Sequence, residues 1–271
     1  MLMSLGLCAA VVPLRATQAA APPASCAVIT HGSAQDSAHG VTYGNVVVRT
    51  PDGSSGLTAG KMTFSGGSAD TAHDQADAAS LLLMSAMTGR HNAACSDWLA
   101  EQGQAAATTL KAGGGYDITW NNAVLTHGTN RVSSSTAHFK VEGSTSAHTS
   151  AATLALSGLS YQGISNEALL PSAADAAFSL PASELPALMA AIGGRSTAAP
   201  AVHVTISSFN ATRDTVHMTG NGTAALTGNV NATTASGHLE VSNLEALIEK
   251  ARTAKQMKLA AGLVLARLVS H

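Results

Sequence analysis

Residues 215–227 read TVHMTGNGTAALT, a stretch in which apolar and polar side chains alternate. Val216, Met218, Ala224 and Leu226 share one parity, and the positions between them are mostly threonine, histidine and asparagine. Successive side chains of a β-strand point to opposite faces of the sheet. The alternation therefore predicts a strand with one buried and one solvated face.

The same period-two pattern recurs along the chain and predicts further strands. They are expected within residues 41–48, 61–64, 116–121, 137–141, 154–161, 202–207 and 238–241. Across Gly158 the phase of the pattern inverts, which predicts a β-bulge at that glycine. One-sided alternation with short Gly, Asn and Ser connections favours an antiparallel sheet, because strands buried on both faces would be continuously apolar.

Three helices are predicted to cover the inner face of this sheet. They lie within residues 74–88, 96–110 and 183–192, and each is followed by one or more glycines. Ser96 is the expected N-cap of the second helix, and Gly193 and Gly194 are expected to end the third. The predicted fold class is thus α+β, with a curved antiparallel β-sheet and helices packed on one face.

A long C-terminal amphipathic helix completes this prediction. Ser242 and Glu245 have the spacing of a capping box, and residues 244–268 keep one apolar stripe at helical spacing. Early glutamates and late lysines and arginines complement the helix dipole. Such a helix must dock on an apolar surface, and core packing, a membrane and a partner protein are the alternatives.

The first 21 residues have the pattern of a secretory signal peptide, although no basic residue precedes their apolar run. An apolar stretch followed by small residues predicts cleavage near Ala19 to Ala21; a buried N-terminal helix is the alternative. Residues 22–271 are expected to form a single domain, with a subdivision near 145–150 as the other option. No later segment reaches the length of a membrane span, so no transmembrane span is expected in the mature chain.

Removal of the signal peptide would leave two cysteines, Cys26 and Cys95. In an exported protein this even pair predicts one disulfide. The alternative to a disulfide is a catalytic cysteine, but no Cys-His signature surrounds either residue.

Composition excludes several classes of protein. The 271 residues carry a formal net charge of −2 and no basic stripe, so nucleic acid is not an expected partner. The 11 histidines are scattered without metal-ligand spacing, and no metal or other cofactor is expected. His203, His217 and His238 would form a cross-strand cluster only if their strands were neighbours, and the alternative is that they are exposed surface histidines. No nucleophile elbow of a serine hydrolase is present.

Residues 150–269 resemble a family of bacterial envelope proteins related to the AsmA-like group. The resemblance lies in LSGLSYQG (156–163), LLP (169–171), AFSL (177–180), MTGNGTA (218–224) and SGHLEVSNL (236–244). It implies a periplasmic protein built on curved β-sheet and concerned with the outer membrane or its lipids. It brings no binding residues with it.

The leading functional hypothesis is a non-enzymatic exported envelope protein whose sheet binds a lipid acyl chain or a protein partner in outer-membrane maintenance. An apolar groove on the sheet would be lined by aliphatic side chains, as apolar ligand sites are. The candidate lining residues are Val204, Ile206, Val216, Met218 and Leu226. The alternatives are a structural or adhesive surface module and, third, a hydrolase.

Overall fold

The computed structural model describes residues 21–194, 201–227, 233–256 and residue 263. These residues form one antiparallel sheet of 12 strands and four α-helices. The strands are β1 (Val28–Thr30), β2 (Ala34–Ser37), β3 (Gly40–Arg49), β4 (Ser55–Gly66), β5 (Gly115–His127), β6 (Asn130–Glu142), β7 (Thr149–Ser157), β8 (Ser160–Gln162), β9 (Ala173–Pro181), β10 (Val202–Arg213), β11 (Val216–Leu226) and β12 (Thr234–Ser242). The helices are α1 (Ala69–Thr88), α2 (Ser96–Lys111), α3 (Leu185–Gly194) and α4 (Leu244–Thr253).

The sheet is an open meander whose strand order largely follows the chain. Its path runs β1-β3-β4-β5-β6-β7-β9-β10-β11-β12, with β2 paired to β3 and β8 paired to β6. Helices α1 and α2 lie between β4 and β5 in sequence, and α3 lies between β9 and β10. The predicted antiparallel sheet is thereby confirmed. Strands β6 and β7, which are joined by residues 143–148, pair directly.

The core lies between the inner face of the sheet and helices α1, α2 and α3. Inner-face residues stand opposite one another from strand to strand, as Met62, Trp120, Ala137 and Leu156 do. They belong to one hydrophobic cluster with residues of α1 and α2. Burial of this continuous apolar area is the main favourable term for the fold.

A transverse line of irregular residues crosses four strands and the β7–β8 connection, and the alternation is reset at each. On β3, β4, β5 and β6 it passes through Asn45, Gly60, Asn122 and Ser135, and it reaches Gly158 after β7; the flanking pairs place these residues opposite one another. We call this line the crease. Because every strand resets at the same level, the register is kept and the apolar residues on both sides of the crease join the same core.

Positive φ angles occur on alternate strands of the crease. Asn45, Asn122 and Gly158 have φ of 56°, 53° and 60°. At Gly158 the sequence predicts a bulge with an extra residue. Instead β7 ends at Ser157 and β8 begins at Ser160, while pairing with β6 continues without a register shift. The inverted phase therefore has a different cause: the opposing residue Ser135 of β6 is irregular as well.

The predicted disulfide is present. Cys26 and Cys95 are bonded, with their Cα atoms 4.7 Å apart, and both are buried in the core. The bond ties the segment before β1 to the short turn that begins α2. Asn92 reinforces this junction, because its side-chain amide donates to the carbonyl oxygens of Ser25 and Cys26.

The helix boundaries differ from the prediction in several places. Helix α1 begins at Ala69, earlier than expected, and ends as predicted at Gly89, whose φ of 65° suits a left-handed C-cap. The predicted N-cap at Ser96 is wrong: Cys95 holds that position, and the Ser96 hydroxyl donates instead to the Gly194 carbonyl. Gly194 itself is helical.

Helix α4 is shorter than the predicted helix 244–268. It ends at Thr253, and Lys255 has a φ of 59°, which a helix does not allow. Apart from residue 263, the part of the predicted helix beyond residue 256 lies outside the described residues. The predicted capping box is wrong as well, since Asn243 is the N-cap and makes no side-chain cap bond. None of the described helices has the length and apolarity needed to cross a bilayer.

Candidate ligand-binding site

An apolar chamber of about 260 Å³ lies between the sheet and its helices. Strands β4 to β7 and β9 form its floor, and α1, α2 and α3 form its roof. Most of its lining is aliphatic or aromatic: Phe64, Ala79, Leu82, Leu83, Ala86, Ala106, Leu110, Tyr116, Ile118, Trp120, Phe139, Val141, Leu154, Phe178, Leu180, Ala182, Leu185, Leu188, Met189 and Ile192. Gln75 and Ser150 complete it.

The chamber exists because small residues face large ones across it. Helix α1 presents Ala79 and Ala86 to the chamber, where larger side chains would fill the space above the sheet. On the floor, Phe139 and Phe178 form a tilted aromatic pair with ring centroids 6.5 Å apart. Protein interiors normally leave few voids larger than a water molecule, and a void of this size therefore calls for an explanation.

The roof is held by close contacts between α2 and α3. A Cβ on Gly103 would come within 2.6 Å of the Pro186 backbone, and one on Gly193 within 2.2 Å of the Leu99 side chain. These glycines allow the two helices to pack closely. The Nδ1 atom of His91 lies 2.6 Å from the carbonyl oxygen of Ile192. The backbone N–H of Asn92 donates to the carbonyl oxygen of Gly193 at 2.9 Å. These bonds join α3 to the connection between α1 and α2.

Most polar groups around the chamber already have partners. The Gln75 amide nitrogen donates to the backbone and side-chain oxygens of Gln102, at 3.0 Å and 2.9 Å. The Trp120 ring nitrogen donates to the Ser80 hydroxyl at 3.0 Å. The Tyr116 hydroxyl is hydrogen-bonded to Thr109, but burial outweighs that bond and raises the pKa of Tyr116.

Ser150 is the exception. Its side chain is 1% exposed, and its Oγ has no hydrogen-bond partner among the described residues. A buried hydroxyl without a partner carries a desolvation cost of about 1–3 kcal/mol. Sequence reasoning missed Ser150. The signal was available, because Ser150 shares the inward parity of Leu154 and Leu156.

No charged side chain lines the chamber among the described residues. The chamber can therefore remove apolar surface from water, but it cannot compensate a buried charge. The chamber also reaches the surface, since Ala86 both lines it and is exposed.

The five groove residues predicted from the sequence lie elsewhere on the inner face. Val204 belongs to a second core cluster with Leu180, Leu188 and Val202, and Ile206 and Leu226 pack against it. Val216 is buried, and Met218 is half-buried. None of the five predicted residues lines the chamber. Their role in ligand binding stays a prediction.

The three histidines considered for a cluster do not come together. Their strands β10, β11 and β12 are neighbours. However, His203 and His238 stand opposite Ala225 and Asn221 of β11, while His217 lies on β11 itself. Successive positions are thus four residues apart along β11, about 13 Å at the rise of a strand.

A polar network that the sequence did not reveal joins the beginning of the sheet to α1. His31 contacts Asp77 at 2.7 Å and stacks on the Tyr43 ring. The Tyr43 hydroxyl is hydrogen-bonded to His73, whose other ring nitrogen lies 3.0 Å from Asp36. Burial, followed by the nearby aspartates, raises the pKa of Tyr43. This network links α1 to β3. Because Tyr43 is 1% exposed, a substrate could not reach its phenol.

Among the described residues, Ser55, the first residue of β4, pairs with a histidine. Ser55 Oγ lies 2.8 Å from His127 Nδ1. Ser55 is 2% exposed, so its hydroxyl is not open to a substrate. In the part of the chain that the structure describes, no three His, Cys, Asp or Glu residues are placed to hold a metal ion.

Comparison of the chain with protein-family models, with curated proteins and with solved structures gave no match. The chamber is therefore the feature of the molecule that points to a function.

Proposed function

We propose that this protein is an exported, non-enzymatic binding protein for an apolar ligand such as a lipid acyl chain. The chamber between helices and sheet carries the proposal, because its lining is almost entirely apolar and it opens at the surface beside Ala86. Ligand sites are typically concave and apolar with few polar groups. A chamber of about 260 Å³ lies just below the usual range of roughly 300–1,000 Å³, which suits a single chain of medium length.

Export to the periplasm is part of the same proposal. The apolar start of the sequence and the buried Cys26–Cys95 disulfide support it, because disulfides persist in oxidising compartments. The resemblance of residues 150–269 to AsmA-like envelope proteins adds outer-membrane lipids as the source of the ligand.

Mass spectrometry of the protein purified from a bacterial host that exports it tests this function. We expect an apolar small molecule to copurify in stoichiometric amount with the native chain. A variant with Ala79→Phe, which fills the chamber from α1, should carry much less. Gln104→Phe, at an exposed position of α2, is the matched control and should carry the native amount. A native chain free of any bound apolar molecule would contradict the proposal.

A further inference from the structure

The last strand of the sheet, β12, has one unpaired side. Among the described strands it pairs with β11 alone, over nine consecutive residue pairs without a register shift. Eight of its nine residues are exposed, and Val241 is half-buried. Helix α4, which follows β12, packs back against β11. The described residues thus leave the free backbone edge of β12 open.

This edge lacks the features that normally keep sheet edges from pairing. Proteins blunt exposed edges with short strands, bulges, prolines or lysines. The opposite edge of the sheet follows this rule, because β1 has only three residues. By contrast, β12 reads TASGHLEVS and contains neither proline nor lysine. Its free N–H and C=O groups can therefore pair with another strand.

An exposed apolar side chain lies near the middle of this edge. Leu239 is 60% exposed, and Val28 is the only other large hydrophobic residue left exposed in the described chain. Leu239 stands opposite Gly220 of β11, so no side chain of that strand covers it from the position opposite. A strand added on the free side would place a side chain directly beside Leu239. The edge is therefore suited to a partner with an apolar residue at that level.

A second copy of β12 supplies such a residue together with complementary polar groups. When two identical strands pair in antiparallel fashion about Leu239, this residue faces its own counterpart, and His238 of each copy faces Glu240 of the other. A histidine ring N–H donates to a carboxylate, and both residues are exposed. Pairing about Glu240 would instead oppose two carboxylates, which is unfavourable. The register centred on Leu239 is thus the one that the sequence of β12 favours.

We propose that this protein forms a symmetric dimer through antiparallel pairing of the free edges of two β12 strands, with Leu239 at the two-fold axis and a His238–Glu240 pair on each side of it. The two sheets become one continuous sheet, and each strand satisfies the free edge of the other. No residue of β12 lines the chamber. The dimer therefore does not depend on the function proposed above.

Sedimentation equilibrium of the full chain tests this dimer. We expect a reversible monomer–dimer equilibrium with a micromolar dissociation constant, because a single strand pair is a small interface. Leu239→Lys, which opposes two lysines at the centre, should weaken dimerisation by at least about tenfold. Thr223→Lys adds the same charge at an exposed position of β11, and this matched control should dimerise like the native chain. A native chain that stays monomeric or grows beyond a dimer would overturn the proposal, as would unchanged dimerisation of Leu239→Lys.

Exchange of the polar pair tests the register. His238→Glu opposes two carboxylates on each side of the axis and should weaken dimerisation. Addition of Glu240→His to this variant places a histidine opposite a carboxylate again and should restore dimerisation to the native level. Because His238 and Glu240 are exposed, neither change should alter the fold of the monomer. A double variant that dimerises no better than His238→Glu would overturn the register centred on Leu239.

Discussion

Ser150 of β7 lies directly opposite Leu180 of β9, and the Ser150 hydroxyl oxygen is fully buried without a hydrogen-bond partner among the described residues. A hydroxyl thus occupies an inner-face position where its neighbours are apolar. The buried hydroxyl also lowers the stability of the ligand-free protein, because it is desolvated without a partner. Removal of an unpartnered buried hydroxyl removes its desolvation cost.

Ser150→Ala should therefore stabilise the ligand-free protein, by about 1 kcal/mol. Urea unfolding monitored by circular dichroism measures the change, with an unaltered slope expected. Ser157→Ala, at an exposed position, is the control and should change the free energy of unfolding little. A destabilised Ser150→Ala protein would mean that the hydroxyl is satisfied in the free chain.

The crease makes a second prediction. Gly158 has a φ of 60°, and a Cβ there would lie 2.1 Å from Ser135 Oγ. Gly158→Ala should destabilise the protein by about 2–4 kcal/mol, because backbone strain of 1–2 kcal/mol combines with a steric clash. Gly128→Ala is the matched control: its φ is 57°, but a Cβ meets nothing within 4 Å. Equal losses for the two variants would show that Ser135 does not restrict this position.

The disulfide should contribute strongly to stability. Its cysteines are 69 residues apart in sequence, and a closed loop of that length is worth about 4 kcal/mol on the chain-entropy model. The double variant Cys26→Ser/Cys95→Ser should therefore unfold at a temperature lower by roughly 10 °C. Thermal unfolding of the native chain with and without reductant checks the result. A melting temperature that reductant leaves unchanged would contradict it.

Asp74 of α1 should make the free energy of unfolding depend on pH. Burial, with the charge of Asp77 next, raises the pKa of the Asp74 carboxyl above its ordinary value. A carboxyl with a raised pKa favours the folded state when protonated, and this contribution is lost as pH rises through the folded-state pKa. Asp74→Asn should thus be more stable than the native protein at neutral pH, by less than about 1 kcal/mol because solvent screens a partly exposed group.

Thermal unfolding across the pH range checks this prediction. The advantage of Asp74→Asn should shrink as the pH falls and the native Asp74 becomes protonated. An advantage that is the same at neutral and acidic pH would mean that the charge of Asp74 is not its cause.

The sequence predicted the sheet well because a half-buried strand carries its own signature. The alternation in residues 215–227 indicates which side chains face solvent, and it predicted the strand that the structure shows as β11. The crease was harder to foresee. Its effect depends on residues such as Gly60 and Asn122 being opposite each other, and register is a property of paired strands and not of one strand.

The site was only partly predictable for a related reason. Sequence reasoning expected an apolar inner face and placed a groove at Val204 and Met218, on strands with the clearest alternation. The chamber lies instead where α1 and α3 approach the sheet with small side chains such as Ala79. Space between two layers depends on how far helices stand from strands, and no local pattern encodes that distance.

A crystal structure of the protein grown with a bromine-tagged fatty alcohol tests the central claim most directly. The anomalous signal of the bromine would locate the chain independently of the protein density. We expect a bromine peak among the chamber residues. A chamber closed by the protein's own side chains, with the alcohol absent or bound only at the outer surface, would contradict it.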